Sequence, residues 1–451
     1  MFPSAAELAG GDRAGFDPSI RNLLTMAERV AGGGGEHAAP RRPDVLVVDH
    51  TQIYLAAVAQ ALGVPCVDCF CPFPTELLHF GSPNFFEPRV GLALAKEGPA
   101  GAQAALTMSC AARARGLTAR FAALRARLVA CAREAAARAA VAPPAAAAVA
   151  DAAATRHLVF CEPTMLTDGE RAQLARVRGH AVGPCLPPPG PGAGAPEPEL
   201  LAWLEQDARP VVYVAMGTLV YSSVAIGALA TIVDGLSGDG GPGAPCAWRV
   251  LWSFPDRLRD RLAEAGKLDA LLAPGSHFRL SGWVNQVAVL RHAQVRCFVT
   301  HGGGSSFNEA LIAGVPMVFT PYMCDQYESA AAGVSRGLGH VYHKWRRDAP
   351  TLRALVRSAL DARGPCAAAC ARYAPLMRVN AGPSRGVAVL ENMAWGGARF
   401  DELSDDATRA ARRRASPARG GAVPARLGGA VAVFALAFVI LKASRFGRSA
   451  K

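Results

Sequence analysis

The sequence predicts an α/β protein made of two doubly wound parallel-sheet domains in succession, followed by one apolar helix. Three observations carry that expectation. Short apolar runs alternate with helical stretches in two separate series, the first opening on "DVLVVD" and the second on "PVVYVAMG". The proline- and glycine-dense stretch "PCLPPPGPGAGAPEPE" (184–199) divides the two series. Finally, "LGGAVAVFALAFVIL" (427–441) is uncharged and strongly apolar. At 451 residues the chain exceeds one ordinary core, and a hydrophobic share of 51% fits globular structure and excludes disorder of the whole chain.

Residues 1–43 are rich in glycine and alanine and end in "GGGGEHAAPRRP", a loose lead-in. They show neither the basic start nor the apolar stretch of a cleavable signal peptide. The first domain spans 44–183. In it "DVLVVD" (44–49) is a strand bounded by polar residues, "QIYLAAVAQALGVP" is a helix with a glycine stop, and "CVDCF" is the next strand. Residues 101–150 have apolar positions at helical intervals and predict long helices broken at "APPAAAAVA". "HLVFCEP" (157–163) and "HAVGPCL" are further strands.

The linker over 184–200 is the clearest boundary, and the second domain, 201–378, restarts the alternation beyond it. Its strands are "PVVYVAMG", "AWRVLWSF", "HFRLSGWV", "VRCFVT" and "PMVFTP"; its helices are "SSVAIGALATIVDGL", "QVAVLRHA" and "QYESAAAGVSRG". Residues 352–373 read as helical, and a last helix falls within 379–400 around "SRGVAVLENMAW". A basic linker over 401–426 leads to the apolar run 427–443 and a basic tail over 444–451.

That run sits at the bottom of the spanning range, since a bilayer core of ~30 Å needs about 20 helical residues. Gly428, Gly429 and the flanking cations Arg426, Lys442, Arg445 and Lys451 favour a membrane anchor over a buried helix. Positive charge on both sides leaves its orientation undecided. The net charge of +12 gathers largely near this segment without interleaved aromatics, which argues for a membrane surface and against nucleic acid. Twelve cysteines in so long a chain are not a disulfide framework; Cys66, Cys69 and Cys71 lack a second half at zinc spacing and read as buried thiols.

The chemistry concentrates in "HGGGSSFNEALIAGVP" (301–316). A strand ending at Thr300 delivers its loop to the carboxyl edge of a sheet, where open α/β folds bind ligands. Gly302, Gly303 and Gly304 allow close backbone approach and positive φ, and a helix starting near Ser306 aims its N–H groups at an anion. His301 can donate to a phosphate oxygen, Glu309 offers acceptors to ribose hydroxyls one turn after Ser306, and Gly314 caps the helix. A glycine triplet alone fits a structural turn equally well. The company it keeps changes that: Asp325 and Gln326 emerge at the same edge to grip sugar hydroxyls, Trp283 offers a ring for a base, Gln286 an amide for its edge, and Gly217 with Thr218 ends the second domain's first strand where a diphosphate would lie.

The stretch "GWVNQVAVLRHAQVRCFVTHGGGSSFNEALIAGVPMVFTPYMCDQYESA" resembles the signature of the UDP-glycosyltransferases. The resemblance implies the GT-B fold, two Rossmann-like domains with the donor held by the second and the acceptor by the first, and no metal cofactor. It implies that Trp283 stacks on uracil, Gln286 reads the base, His301, Gly303, Ser305 and Ser306 meet the diphosphate, Glu309 holds the ribose, and Asp325 with Gln326 holds the sugar. "GPSRGVAVLENMAWGGARF" is similar to the helix that crosses back to the first domain in the membrane-bound branch, which implies a single-pass protein of the endoplasmic reticulum. Homo-oligomer formation stays open.

"PDVLVVDHTQIYLAAVAQALGVP" resembles the family's strand and helix with the catalytic aspartate, here Asp49. In the family that carboxylate orients a histidine that deprotonates the acceptor hydroxyl for inverting attack, an effect worth about 10² to 10⁴ in rate. The family's histidine-bearing first strand has no match before Asp49: His37 lies in a glycine-rich loop and His50 is adjacent to Asp49. The expectation is therefore an N-terminally truncated member. Two functions compete: hexosyl transfer from a UDP-sugar to a small lipophilic acceptor, and a catalytically incompetent, membrane-anchored UDP-sugar-binding subunit that needs a partner. A nucleotide-sugar epimerase is disfavoured by the anchor and by Asp325–Gln326.

Overall fold

The computed structural model describes residues 25, 45–49, 55–70, 126–138, 156–176, 178–186, 195–217, 220–221, 226–238, 246–322, 326–343, 348–379 and 382–394. The chain divides into two compact units, Met1–Gly183 with Gly382–Lys451, and Pro184–Ala381.

The first unit holds four parallel strands side by side in chain order: β1 (Leu46–Asp49), β2 (Cys66–Phe70), β3 (Arg156–Val159) and β4 (Gly179–Ala181). Between β1 and β2 the helix α1 (Leu55–Ala61) buries Leu55, Val58 and Ala59, an apolar stripe at helical spacing, and the chain turns at Gly63 with φ 66°. A second helix, α2 (Asp168–Arg176), opens on a capping exchange: Thr167 Oγ1 accepts the Glu170 N–H at 3.3 Å, and the Thr167 N–H reaches Glu170 Oε2 at 2.8 Å. The C-terminal helix Gly382–Ala394 belongs to this unit. Its Val389 and Leu390 pack on Val67, Leu158 and Val182, while Arg385 bridges the buried Glu162 at 3.3 Å and the Val182 carbonyl at 3.4 Å.

The second unit is a six-stranded, wholly parallel sheet ordered β10-β9-β8-β5-β6-β7. Its strands are β5 (Val211–Ala215), β6 (Arg249–Ser253), β7 (Phe278–Ser281), β8 (Val295–Thr300), β9 (Met317–Phe319) and β10 (Gly339–Val341). Every residue of β5 is buried, and of β8 only Arg296 is exposed, as expected of central strands covered on both faces. Strand order reverses between β5 and β8, and that switch point opens a crevice at their carboxyl ends. The helices that matter here are α3 (Pro198–Glu205), α4 (Gln286–Arg291), α5 (Gly304–Ala313), α6 (Gln326–Ser335), α7 (Ala349–Leu360) and α8 (Pro365–Arg378). One face of the sheet packs Val214, Val250, Trp252 and Val299 against Ile232, Leu352 and Val356.

Arg249 is the largest charged group inside this unit, 1% exposed. Its guanidinium ends α3 by donating to the carbonyls of Trp203, Leu204 and Asp207, lies 4.7 Å over the Trp203 ring, and meets the Asp207 carboxylate at 3.2 Å. Hydrogen bonds from Arg209 hold the Asp207 carboxyl down at about 2.

Several expectations change. The helix expected over 352–373 is two helices, α7 and α8: the first ends at Leu360 with Asp361 as its cap, and Gly364 caps the second, which Pro365 starts with a φ already suited to a first turn. A strand at Gly339–Val341 was not expected; three residues are too few for any periodicity to show. Among the described residues no helix is long and apolar enough to cross a membrane. The expected span 427–443, the linker 401–426, the tail 444–451, His37 and His50 all lie outside those residues.

Candidate functional site

At the switch point β8 runs out at Thr300 and the chain turns through Gly302, whose φ of 84° only glycine adopts cheaply. Thr300 Oγ1 accepts the Gly302 N–H at 3.2 Å, and Thr320 Oγ1 donates to the Thr300 carbonyl at 3.2 Å, fixing the strand end. Of the three glycines only Gly302 uses positive φ. Gly303 is extended and serves as N-cap, and α5 begins at Gly304, two residues before the expected start near Ser306. No side chain caps this end, whereas Gly314 closes the other with φ 80° in the left-handed region.

The smallness of Gly217 and Gly303 has another cause. A Cβ on Gly217 would lie 2.6 Å from His301 Nε2, and one on Gly303 would lie 2.5 Å from the same atom. The imidazole is thus held between two bare backbones, one following β5 and one opening α5. Burial pushes its pKa down to about 4, against a smaller raising effect from its hydrogen bond to the Ala215 carbonyl. His301 is therefore neutral at pH 7, and its one N–H is taken by the Ala215 carbonyl. Linkage gives the sign: the unfolded chain takes up a proton near 6.5 while the folded one refuses it until about 4. Stability is full above the unfolded value and falls as pH drops through that window, on the order of 2 kcal/mol. Urea titrations at pH 7 and pH 4.5 should show this loss in the wild type and a smaller one in His301→Gln.

Beside His301 lies a hydrogen-bonded group reaching from the core to α5. Tyr213 Oη, on β5, donates to Gln286 Oε1 at 3.2 Å; Gln286 Nε2 donates to Ser306 Oγ at 3.1 Å and to Glu309 Oε2 at 2.6 Å. Gln286 is placed by the start of α4, where Asn285 Oδ1 accepts the Ala288 N–H at 3.1 Å. Burial raises the Glu309 pKa, and the Gln286 bond works against that rise. Trp283, three residues before Gln286, is 91% exposed. An indole left in water is a surface suited to stacking, not a core residue.

The structure thus assembles Gly217, Gln286, His301, Gly303, Ser306 and Glu309 at one crevice, with Ser305 exposed on the first turn of α5. Gln326, at the start of α6, is buried, and its Oε1 accepts the Tyr322 N–H at 2.8 Å. Thr218 and Asp325 lie outside the described residues. Asp49 ends β1 at the carboxyl edge of the first unit's sheet. One register row away, fully buried Asp68 meets His157 Nδ1 at 2.8 Å, within the sheet. Sequence reasoning missed Tyr213, which reads as one more apolar strand residue in "VVYVAMG". A separate cavity of about 780 Å³ opens at the opposite, amino edge of the second sheet, lined by Pro210, Val295 and Pro316 with Arg291, Arg296 and Arg378. It is a strand's length from His301 and takes no part in this crevice.

Residues 196–346 match the family model UDP-glucoronosyl and UDP-glucosyl transferase. The matched segment contains the whole crevice of the second unit. Among curated relatives, the UDP-glycosyltransferase CGT of Oryza sativa subsp. indica is 34% identical over 173 residues, 37% of this chain and 34% of the relative. An anthocyanidin 3-O-glucosyltransferase of Zea mays is 38% identical over 143 residues, 32% of this chain and 27% of the relative. The aligned part thus spans about a third of the length of these relatives. Among solved structures, Os79 from O. sativa in complex with U2F and trichothecene superposes with a TM-score of 0.56 at 19% identity, over 83% of this chain and 82% of that one. The glycotransferase of kitacinnamycin gives 0.54 at 21% identity, over 87% and 86%. The fold is accordingly that of the GT-B glycosyltransferases, with parallel-sheet α/β domains, and residues 196–346 are similar to the UDP-glycosyltransferases.

Proposed function

We propose that the second unit binds a UDP-sugar at the β5–β8 switch point and that the chain transfers its hexosyl group, with inversion, to a hydroxyl of a small lipophilic acceptor. The observation that carries this reading is the Gln286–Ser306–Glu309 group at the start of α5, beside the neutral His301 and the exposed Trp283. In this reading Trp283 stacks on the uracil, while Gln286, expected to read the base, spends its amide on Ser306, Glu309 and Tyr213 and acts through them. His301, Ser306 and the backbone at Gly217, Thr218, Gly303 and Ser305 take the diphosphate, Glu309 takes the ribose, and Asp325 with Gln326 takes the sugar. The free N–H groups of a helix start suit an anion without adding a buried cation, the neutral His301 ring borders them, and no metal is invoked. Asp49 would serve the acceptor side, and 427–443 would anchor the protein to the endoplasmic reticulum membrane.

Titration calorimetry with UDP tests the donor site. Wild type should bind, and His301→Ala should weaken binding roughly ten-fold, because the ring packed against the Gly217 and Gly303 backbones beside the start of α5 is lost. Unchanged affinity would remove His301 from the site. Turnover is tested by UDP release from UDP-glucose over a panel of phenols and sterols; binding without release would leave a donor-binding protein in place of an enzyme.

A further inference from the structure

The donor crevice has a floor whose polarity is fixed. Glu309 as a carboxylate only accepts hydrogen bonds, so the Gln286 atom 2.6 Å away must be the amide nitrogen. That nitrogen spends one proton on Glu309 and the other on Ser306 Oγ. The amide oxygen is then turned down into the core, where the Tyr213 hydroxyl meets it. Tyr213 is 1% exposed, its ring stacked on Phe298 at 5.0 Å and 12°. Burial raises its pKa, so the hydroxyl keeps its proton and donates it.

We infer that Tyr213 is a positioning residue of the donor site: from beneath the crevice its hydroxyl locks the Gln286 amide in the one orientation that presets Glu309 and Ser306 for a nucleotide. This rests on the UDP-sugar reading. With Gln286 donating to both, Glu309 is kept as an acceptor for ribose hydroxyls. Ser306, having accepted from Gln286, turns its own proton outward to a phosphate oxygen. Removing the Tyr213 hydroxyl leaves the Gln286 oxygen buried opposite a bare ring edge, and the amide loses its anchor on the core side.

The test compares UDP with its dideoxyribose analogue, which lacks both ribose hydroxyls, on the full chain by calorimetry. Tyr213→Phe keeps the ring and its stacking. It should weaken UDP about five- to ten-fold and the analogue clearly less, because the Glu309 part of the grip it supports has no hydroxyls to hold in the analogue while the Ser306 part remains. Gln286→Met should weaken UDP at least as much, and adding Tyr213→Phe to it should change nothing further; this pair also decides the matter if the single tyrosine variant folds poorly. Equal weakening of both ligands, unchanged UDP affinity, or additive losses in the double variant overturn the inference. Failure of the wild type to bind UDP overturns the reading on which it rests, and is distinguished by occurring without any variant.

Discussion

Gly303→Ala is expected to weaken UDP binding by roughly 100-fold, more than loss of the His301 ring itself. The backbone at Gly303 has φ −60° and ψ 144°, which alanine adopts freely, so the effect is not one of backbone strain. It is steric. The new methyl would lie 2.5 Å from His301 Nε2, closer than real Cβ contacts come, so the imidazole has to move. The ring must rotate away, which breaks its bond to the Ala215 carbonyl and places a methyl in the anion's approach. Calorimetry with UDP measures the loss. The cause is separated by the double variant: if the clash is with the ring, His301→Ala should restore the melting temperature that Gly303→Ala lowers, a coupling that independent sites do not show.

Arg249→Met is expected to cost the second unit about 3 to 5 kcal/mol, the scale found when one partner of a buried charged group is removed. The guanidinium serves three carbonyls at the end of α3 and stacks on Trp203, so the variant leaves those carbonyls and the Asp207 carboxylate without the group that gathers them. Arg249→Lys should recover little, since one ammonium cannot reproduce a planar fork aimed at several acceptors. Urea unfolding followed by far-ultraviolet circular dichroism reads the loss directly. A midpoint unchanged in Arg249→Met would mean that α3 is held by its buried Leu200 and Leu204 alone.

The strands of both sheets were legible because buried parallel strands are written as short apolar runs, and the Gly314 cap because a helix followed by glycine is a strong local signal. What escaped lacked such a signal. Gly339–Val341 is too short to alternate, and the start of α5 was misplaced because glycine is as much at home in a loop as at an N-cap. Gln286 and Glu309 were found as separate residues with separate tasks. That they are bonded to one another depends on α4 and α5 meeting over β5, which no spacing along the chain records. Tyr213 was invisible for a related reason: within an apolar strand a tyrosine reads as a ring, and its hydroxyl matters only once a partner from another element stands above it.

Trp283 has a practical consequence. Trp248 and Trp252 are 2% and 0% exposed, so their emission is that of indoles shielded from water, while Trp283 at 91% exposed emits at longer wavelength. Among the described tryptophans Trp283 is thus the one that stands fully in water, three residues before Gln286. If a ligand stacks on Trp283, red-edge fluorescence should follow its binding without a reporter dye, with Trp283→Phe as the control that separates the signal from Trp203, Trp345 and Trp395.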